Sequence, residues 1–407
     1  MIYNSPFTTT EYPIEIIKKF QEKGVVVFGT GNFGSLINSA LKQKNIAVNY
    51  FLDNNFNNWG KKFEGIETIS AEELIKKNKD TYVLLASLNF RYLKRQLKDL
   101  GFENYYDVDF LLNNFDISKT NTKWSKDRCK VQLDLYNYSI IAARDKDSLK
   151  VNSLDLVLTE KCSLKCKNCS NLMQYYERPI DNDLEVLLES FDNFLSVVDY
   201  CYEVRMIGGE PLMFKNIDKV LEKILSKKNV GNIIIYTNGT IVPKGDKINI
   251  FKNPKIYFKI SNYGDVSRNV EKLEKVLDQN EIHYISERIT TWQDCARVEK
   301  FERTEKVNKE IFGNCCVNET LTMLHGKLYL CPYSAHVENL KVIKPKIKEH
   351  VNLYDFENRH TLKNEIRNLY FGKEYLEACK ICNGRDHNVD SIPAAEQTKT
   401  FLSLNKL

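Results

Sequence analysis

Three cysteines stand close together in the run Thr159-Glu160-Lys161-Cys162-Ser163-Leu164-Lys165-Cys166-Lys167-Asn168-Cys169, directly after an apolar stretch from Leu154 to Leu158. The apolar stretch reads as a buried strand, and the C-x3-C-x2-C spacing puts three thiols on the loop that follows it. Three thiolates this close can wrap three irons of a [4Fe-4S] cube and leave the fourth iron without a protein ligand. Such an open iron is what a chelating cosubstrate needs. Zinc sites and small disulfide loops also use close cysteines. A structural zinc site asks for a fourth ligand nearby, and no His or Cys follows until Cys201.

A second motif lies one strand further on. Tyr202 to Ile207 reads as a strand and runs into Gly208-Gly209-Glu210-Pro211. Two glycines allow close backbone approach, and a carboxylate is a natural partner for a cation. The two motifs together resemble the radical S-adenosylmethionine (radical SAM) superfamily. In that family the fourth iron binds the amino and carboxylate groups of S-adenosylmethionine (SAM), and the G-G-E-P turn holds the SAM ammonium. The resemblance implies that Cys162, Cys166 and Cys169 ligate the cluster and that Gly208, Gly209, Glu210 and Pro211 contact SAM. Asn168 departs from the aromatic residue or His common in the family at that position, and is expected to line the cluster's surroundings without ligating.

The remainder of the chain sets bounds. At about 150 residues per domain, 407 residues fit two or three domains. Hydrophobic and charged shares of 43% and 28% are those of an ordinary soluble globular protein. The net charge is +5, and no dense basic patch is interleaved with aromatics, so nucleic acid is not implied. The basic run Lys341 to Lys348 reads as a solvated loop or hairpin face. The first residues, Met1 to Pro6, carry no secretory signal, and no apolar run approaches the ~18 residues of a membrane span. Eleven cysteines without an export signal suit metal ligation better than disulfides, and the cytoplasm is the expected compartment.

Residues 1–120 read as a doubly wound, Rossmann-like domain. Val25 to Phe28 is a strand, followed by Gly29-Thr30-Gly31-Asn32-Phe33-Gly34, a helix through Leu41, and a strand from Ala47 to Leu52 ending at Asp53. A G-x-G-x-x-G turn in this context can hold a phosphate at the helix N-terminus, and Asp53 can accept hydrogen bonds from a ribose. Phe51 through Gly65 resembles the nucleotide-sugar-binding Rossmann modules of bacterial surface-polysaccharide enzymes. Gly29, Gly31, Gly34 and Asp53 are then the nucleotide-binding set; the equal alternative is a tight turn in a scaffolding domain.

Residues 121–150 read as a connector rich in Lys, Asp and Asn. From 151 to 300, strands and helices alternate, which points to a parallel sheet, here a partial (β/α)6 barrel with ligands at the carboxyl ends of its strands. Tyr236-Thr237-Asn238-Gly239 and Ile260-Ser261-Asn262-Tyr263-Gly264 match the positions where radical SAM enzymes touch the SAM ribose and carboxylate. Thr237, Asn238, Ser261 and Asn262 are the side chains concerned, with ordinary Asn-Gly turn chemistry as the alternative at one of the two sites.

Residues 301–407 contain Cys315 and Cys316, then Cys331 after a hairpin, and Cys379-Lys380-Ile381-Cys382. This pattern resembles the twitch module of radical SAM enzymes, a shortened SPASM domain with one auxiliary [4Fe-4S] cluster. Its ligands would be Cys331, Cys379, Cys382 and either Cys315 or Cys316; zinc in the same four thiolates is the alternative. Cys129, Cys201 and Cys295 remain and read as small buried residues.

The resemblance implies reductive cleavage of SAM to a 5′-deoxyadenosyl radical that abstracts hydrogen from the substrate. A fully cysteine-ligated auxiliary cluster suits electron acceptance, and hence oxidation of a secondary alcohol to a ketone on a sugar, cyclitol or nucleotide-linked sugar. A radical epimerase or dehydratase, or a peptide-modifying maturase, would use the same parts. The implied partners are a small-molecule substrate and an electron donor such as flavodoxin or ferredoxin. Arg205 lies on the strand leading to G-G-E-P, where it could face the barrel interior, and Trp292 and Asp294 fall in a loop before the auxiliary domain; each is more often structural, and no catalytic residue is assigned.

Overall fold

The computed structural model describes residues 1–5, 14–87, 90–122, 124–144, 147–295, 297–343, 349–385 and 389–404. They fall into two compact units, Met1–Lys146 and Asp147–Leu407.

In the first unit the apolar run Val25–Phe28 is buried along its whole length, as a strand covered on both faces must be. It pairs in parallel with Val48–Leu52 on one side and Val83–Leu85 on the other. Ile66–Ile69 and Tyr105–Tyr106 extend the sheet outward, also in parallel, and Lys62–Phe63 adds an antiparallel edge. The order of the five parallel strands, 3-2-1-4-5 in chain sequence, is that of a doubly wound nucleotide-binding half. Helix Asn32–Gln43 follows the glycine turn so closely that a Cβ on Gly34 would lie 2.2 Å from Gly29 O.

The segment read from composition as a connector carries a helix, Lys126–Arg144. Cys129, Leu133, Tyr136 and Ile140 are buried at helical spacing in the core of the first unit. Tyr136 anchors the helix there, its hydroxyl donating to Leu85 O at 2.9 Å and accepting from Val108 N at 3.0 Å. The Lys, Asp and Asn residues fall between these positions, so bulk composition concealed the apolar stripe.

The second unit is built on an eight-stranded sheet. Tyr284–Arg288, Ile256–Asn262, Val230–Thr237, Tyr200–Gly208, Lys150–Thr159 and Thr320–Leu324 are neighbours in that order and run parallel. These six strands are the open sheet of a partial barrel, and Lys327–Tyr329 and His350–Asn352 continue it antiparallel. The segment beyond residue 300 therefore shares the barrel's sheet. Of the basic run 341–348, Val342 is buried and residues 344–348 lie outside the described residues. No helix among the described residues is long and apolar enough to cross a membrane.

Alternation along the strands separates two faces. Leu154, Leu156, Val204, Met206, Ile233 and Ile235 join the large core shared with helices such as Leu184–Leu195 and Ile217–Leu225. The opposite face is polar: Ser153 Oγ donates to Glu203 Oε1 at 2.9 Å, Arg205 pairs with Asp155, and Lys259 lies 3.8 Å from Glu287. Asp155 is almost wholly buried, so its ion pair with Arg205 is compensated only while both partners are present. Asp155→Ala is expected to cost about 3 kcal/mol in chemical denaturation, and pairing it with Arg205→Met to recover most of that loss.

Candidate functional site

The site lies at the carboxyl ends of the parallel strands. Strand Lys150–Thr159 delivers the cysteine loop, and its neighbour Tyr200–Gly208 delivers the glycine turn. Their register slips at the end, where Ile207 faces Val157 but Gly208 faces Thr159. Gly208 has φ +142°, and a Cβ there would lie 2.1 Å from Thr159 O. A Cβ on Gly209 would lie 2.1 Å from Lys161 O and 2.9 Å from Cys162 Cβ. Without those atoms the backbones dock: Gly209 N donates to Thr159 O and Glu210 N to Lys161 O, both at 2.8 Å.

Glu210 is completely buried, and Pro211 after it opens a short turn, Pro211–Met213. The Glu210 carboxylate accepts from Leu212 N at 3.2 Å and from Asn238 N at 2.9 Å. Burial pushes its pKa up to about 7, against the lowering effect of these amides and the Thr237 hydroxyl. None of these donors is a cation, so the carboxylate is suited to receive one.

A cavity of about 350 Å³ opens at the glycine turn, walled by Cys162, Cys166 and Cys169 together with Gly208 and Gly209, with Glu210 and Pro211 buried behind its lining. Thr237, Asn238, Ser261 and Asn168 line it too. Asn262 does not: its Oδ1 accepts from Gly264 N at 2.9 Å and from Arg288 Nη1 at 3.3 Å, which is turn chemistry. Asn238 serves in both capacities, accepting from Thr240 N at 3.0 Å while its Nδ2 lies 3.6 Å from Cys162 Sγ. Tyr263 and Trp292 form one wall, ring centroids 5.4 Å apart and edge to face.

Burial pushes the thiols up, Cys166 to about 12, as it does the core thiol of Cys129, so these shifts do not by themselves mark a metal site. The fit to an iron-sulfur cluster rests on the donors around the sulfurs. Amide N–H groups already aim at the sulfurs: Leu164 N lies 3.5 Å from Cys162 Sγ, and Gln397 Nε2 lies 3.1 Å from Cys166 Sγ. Donors of this kind favour thiolate ligands.

The second cysteine set is separated from the first. Cys315, Cys331, Cys379 and Cys382 line a small apolar cavity of about 30 Å³, with Phe312 and Tyr333. Leu376 N lies 3.4 Å from Cys379 Sγ and Gly384 N 3.2 Å from Cys382 Sγ. Among the described residues, no three Cys, His, Asp or Glu side chains converge as they would on a single metal ion. Cys316 faces the larger cavity instead, alongside Cys295 and Arg385. Cys129 and Cys201 are buried in the cores of the first and second units.

Several contributors were not apparent from sequence. Trp292 lies in a short strand, Thr291–Gln293, where a loop was expected. Arg205 is engaged by Asp155, and Asp294 by Arg297. Glu160, just ahead of the cysteines, accepts from His325 Nε2 at 3.0 Å, Asn339 Nδ2 at 2.8 Å and Ile180 N at 2.9 Å. Asn339 also donates to Tyr176 OH at 2.9 Å, and Tyr176 meets His336 Nδ1 at 2.8 Å. This network ties both ends of the cysteine loop to the segment after the hairpin. In the first unit, Gly31 caps helix Asn32–Gln43 without a side-chain hydrogen bond. The Asp53 carboxylate contacts the Thr30 hydroxyl and accepts from Asn55 N at 2.7 Å and Asn58 Nδ2 at 2.9 Å.

Residues 156–278 match the family model described as Radical SAM superfamily, and residues 21–106 the one described as C2185-like, N-terminal. A probable GTP 3′,8-cyclase of Methanocaldococcus jannaschii is 25% identical over 153 residues, covering 33% of this chain and 48% of that protein. The GTP 3′,8-cyclase of Clostridium perfringens is 28% identical over 156 residues, covering 34% and 46%. The chain thus spans about half the length of these curated relatives. Among solved structures, native anSMEcpe with bound AdoMet aligns at 14% identity and TM-score 0.39, over 63% of this chain and 93% of that one. BtrN in complex with AdoMet and 2-DOIA aligns at 15% identity and TM-score 0.37, over 62% and 98%. With the cysteine loop and the glycine turn meeting at the ends of adjacent parallel strands, residues 156–278 form a radical SAM domain.

Proposed function

We propose that the chain is a radical SAM oxidoreductase that converts a secondary alcohol of a sugar, cyclitol or nucleotide-linked sugar to a ketone. Radical SAM proteins use a [4Fe-4S] cluster and SAM, which when bound supply a carbon-centred radical able to remove an unactivated hydrogen atom. The observation that carries the redox assignment is the parting of Cys315 from Cys316. With Cys315 beside Cys331, Cys379 and Cys382, the second cavity has four thiols, and a cluster held by all four has no iron left for substrate. Such a cluster would be suited to accept an electron. Loss of a hydrogen atom, then of a proton and an electron, turns CH–OH into C=O.

The chain's own residues hold and orient. Cys162, Cys166 and Cys169 would hold the first cluster, and Glu210 would pair with the SAM ammonium. Thr237, Asn238 and Ser261 offer neutral hydrogen-bonding groups to the rest of SAM. Tyr263 and Trp292 keep water from one wall. The glycine turn and doubly wound sheet of the first unit support its reading as the holder of a nucleotide, whose phosphate would meet the helix N-terminus at Gly31, where no side chain caps the amides.

One observation favours a second reading. Cys295 and Cys316 line the larger cavity, and a thiol S–H there could return a hydrogen atom to the opposite face of the substrate carbon, giving epimerisation.

The deciding experiment offers the iron-loaded protein a panel of cyclitols and nucleoside-diphosphate sugars deuterated at each carbinol carbon. Oxidation is expected to move deuterium into 5′-deoxyadenosine and to leave a ketone. Solvent hydrogen in a product of unchanged oxidation level would instead select epimerisation, and no SAM cleavage would sink both.

Anaerobic reconstitution should load about eight irons per chain, falling to about four in Cys315→Ala and staying near eight in Cys316→Ala. Zinc in place of the second four irons would defeat the electron-acceptor role.

Burial pushes the Glu210 carboxyl up to about 7, so its charge is lost as pH falls through that value. SAM affinity, measured by equilibrium binding to the iron-loaded protein, is therefore expected to weaken by about tenfold per pH unit below that point. Glu210→Gln should bind SAM weakly and without this pH dependence.

A further inference from the structure

The segment after residue 390 runs over the cysteine loop. Ser391–Pro393 pairs antiparallel with Thr291–Gln293, the strand that carries Trp292 into the cavity wall. Beyond it, Lys167 N donates to Glu396 O and Thr398 N donates to Lys165 O, both at 2.7 Å. Leu402 N then donates to Gln174 O at 2.8 Å. These backbone bonds hold the strap across Cys166 whatever side chain occupies position 397.

Gln397 sits at the middle of the strap. Its Oε1 accepts from Lys165 N at 2.8 Å, and its Nε2 donates to Ala395 O at 2.8 Å. Those two partners fix the carboxamide's orientation, because a flipped amide would set N–H against N–H and oxygen against oxygen. In the orientation that remains, Nε2 lies 3.1 Å from Cys166 Sγ. Leu164 and Ala395, which pack with Cys166, are buried and apolar, while the glutamine itself lies at the exposed surface of the strap.

We propose that Gln397 is a positioning residue for the first cluster, raising its reduction potential through an N–H···S bond to Cys166. The inference rests on the reading of Cys166 as a cluster ligand. Reduction adds negative charge that spreads onto the ligand sulfurs, and a donor aimed at one of them stabilises the reduced form more than the oxidised form. Gln397 thereby makes the cluster easier for an electron donor to reduce.

The test is a redox titration of the anaerobically reconstituted full chain, following the paramagnetic signal that changes when SAM is added. Gln397→Glu keeps an acceptor for Lys165 N, loses the donor and adds a charge. Gln397→Met loses the donor without adding charge. Both variants are expected to keep the wild-type iron content and to show a lower midpoint potential, with the larger drop in Gln397→Glu. An unchanged midpoint in Gln397→Met at full iron content overturns the proposal, as does loss of iron from both variants, which would make the strap purely structural. If the wild-type signal does not respond to SAM, the reading of Cys166 falls and takes this inference with it. A SAM-responsive signal with unmoved potential sinks the inference alone.

Discussion

Two backbone hydrogen bonds, Gly209 N to Thr159 O and Glu210 N to Lys161 O, join the turn after one strand to the loop after its neighbour. Each is worth only about 1 kcal/mol. Their importance is steric, since they form only where neither Gly208 nor Gly209 carries a Cβ. They set Glu210 in its buried place beside the cysteine loop, so the carboxylate and the three thiols share one rigid frame. The slip of register at Ile207 and Gly208 lets the strand end reach this dock while the pairing before it stays regular.

The sheet beneath reconciles two demands. One face must be apolar to bind its helices, and the other stands under a cavity lined with polar groups. Alternation meets both, with Leu154 and Leu156 on one side and Ser153 and Asp155 on the other. The price is buried charge. Arg205 is held charged by its carboxylate neighbours, and burial pushes Glu203 above the usual carboxylate range.

What could be read from the chain beforehand was what repeats locally. The apolar run from Leu154 to Leu158, the spacing of Cys162, Cys166 and Cys169, and the glycines of G-G-E-P lie within short windows and carry their own geometry. Helix Val270–Gln279 likewise buries Val270, Leu273 and Leu277 at helical spacing. Helix Lys126–Arg144 was hidden because its charged residues dominate a compositional window while its apolar ones fall on one stripe. Gln397 gave no signal, as its sulfur partner is 231 positions away. The Glu160, His325 and Asn339 network is likewise long-range, assembled only when the sheet closes. The parting of Cys315 and Cys316 was not legible either, because it is set where helix Glu305–Asn314 ends at Cys315 and the chain turns at Cys316.

That parting has an electrostatic consequence. Cys315 borders the four-thiol chamber and Cys316 borders the chamber with the first three cysteines, so a single peptide unit forms part of the partition between them. The Arg385 guanidinium lines the larger chamber and interacts with Cys295 and Cys316 there and with Cys331 and Cys382 of the smaller one. One fixed positive charge therefore bears on the thiols of both chambers at once.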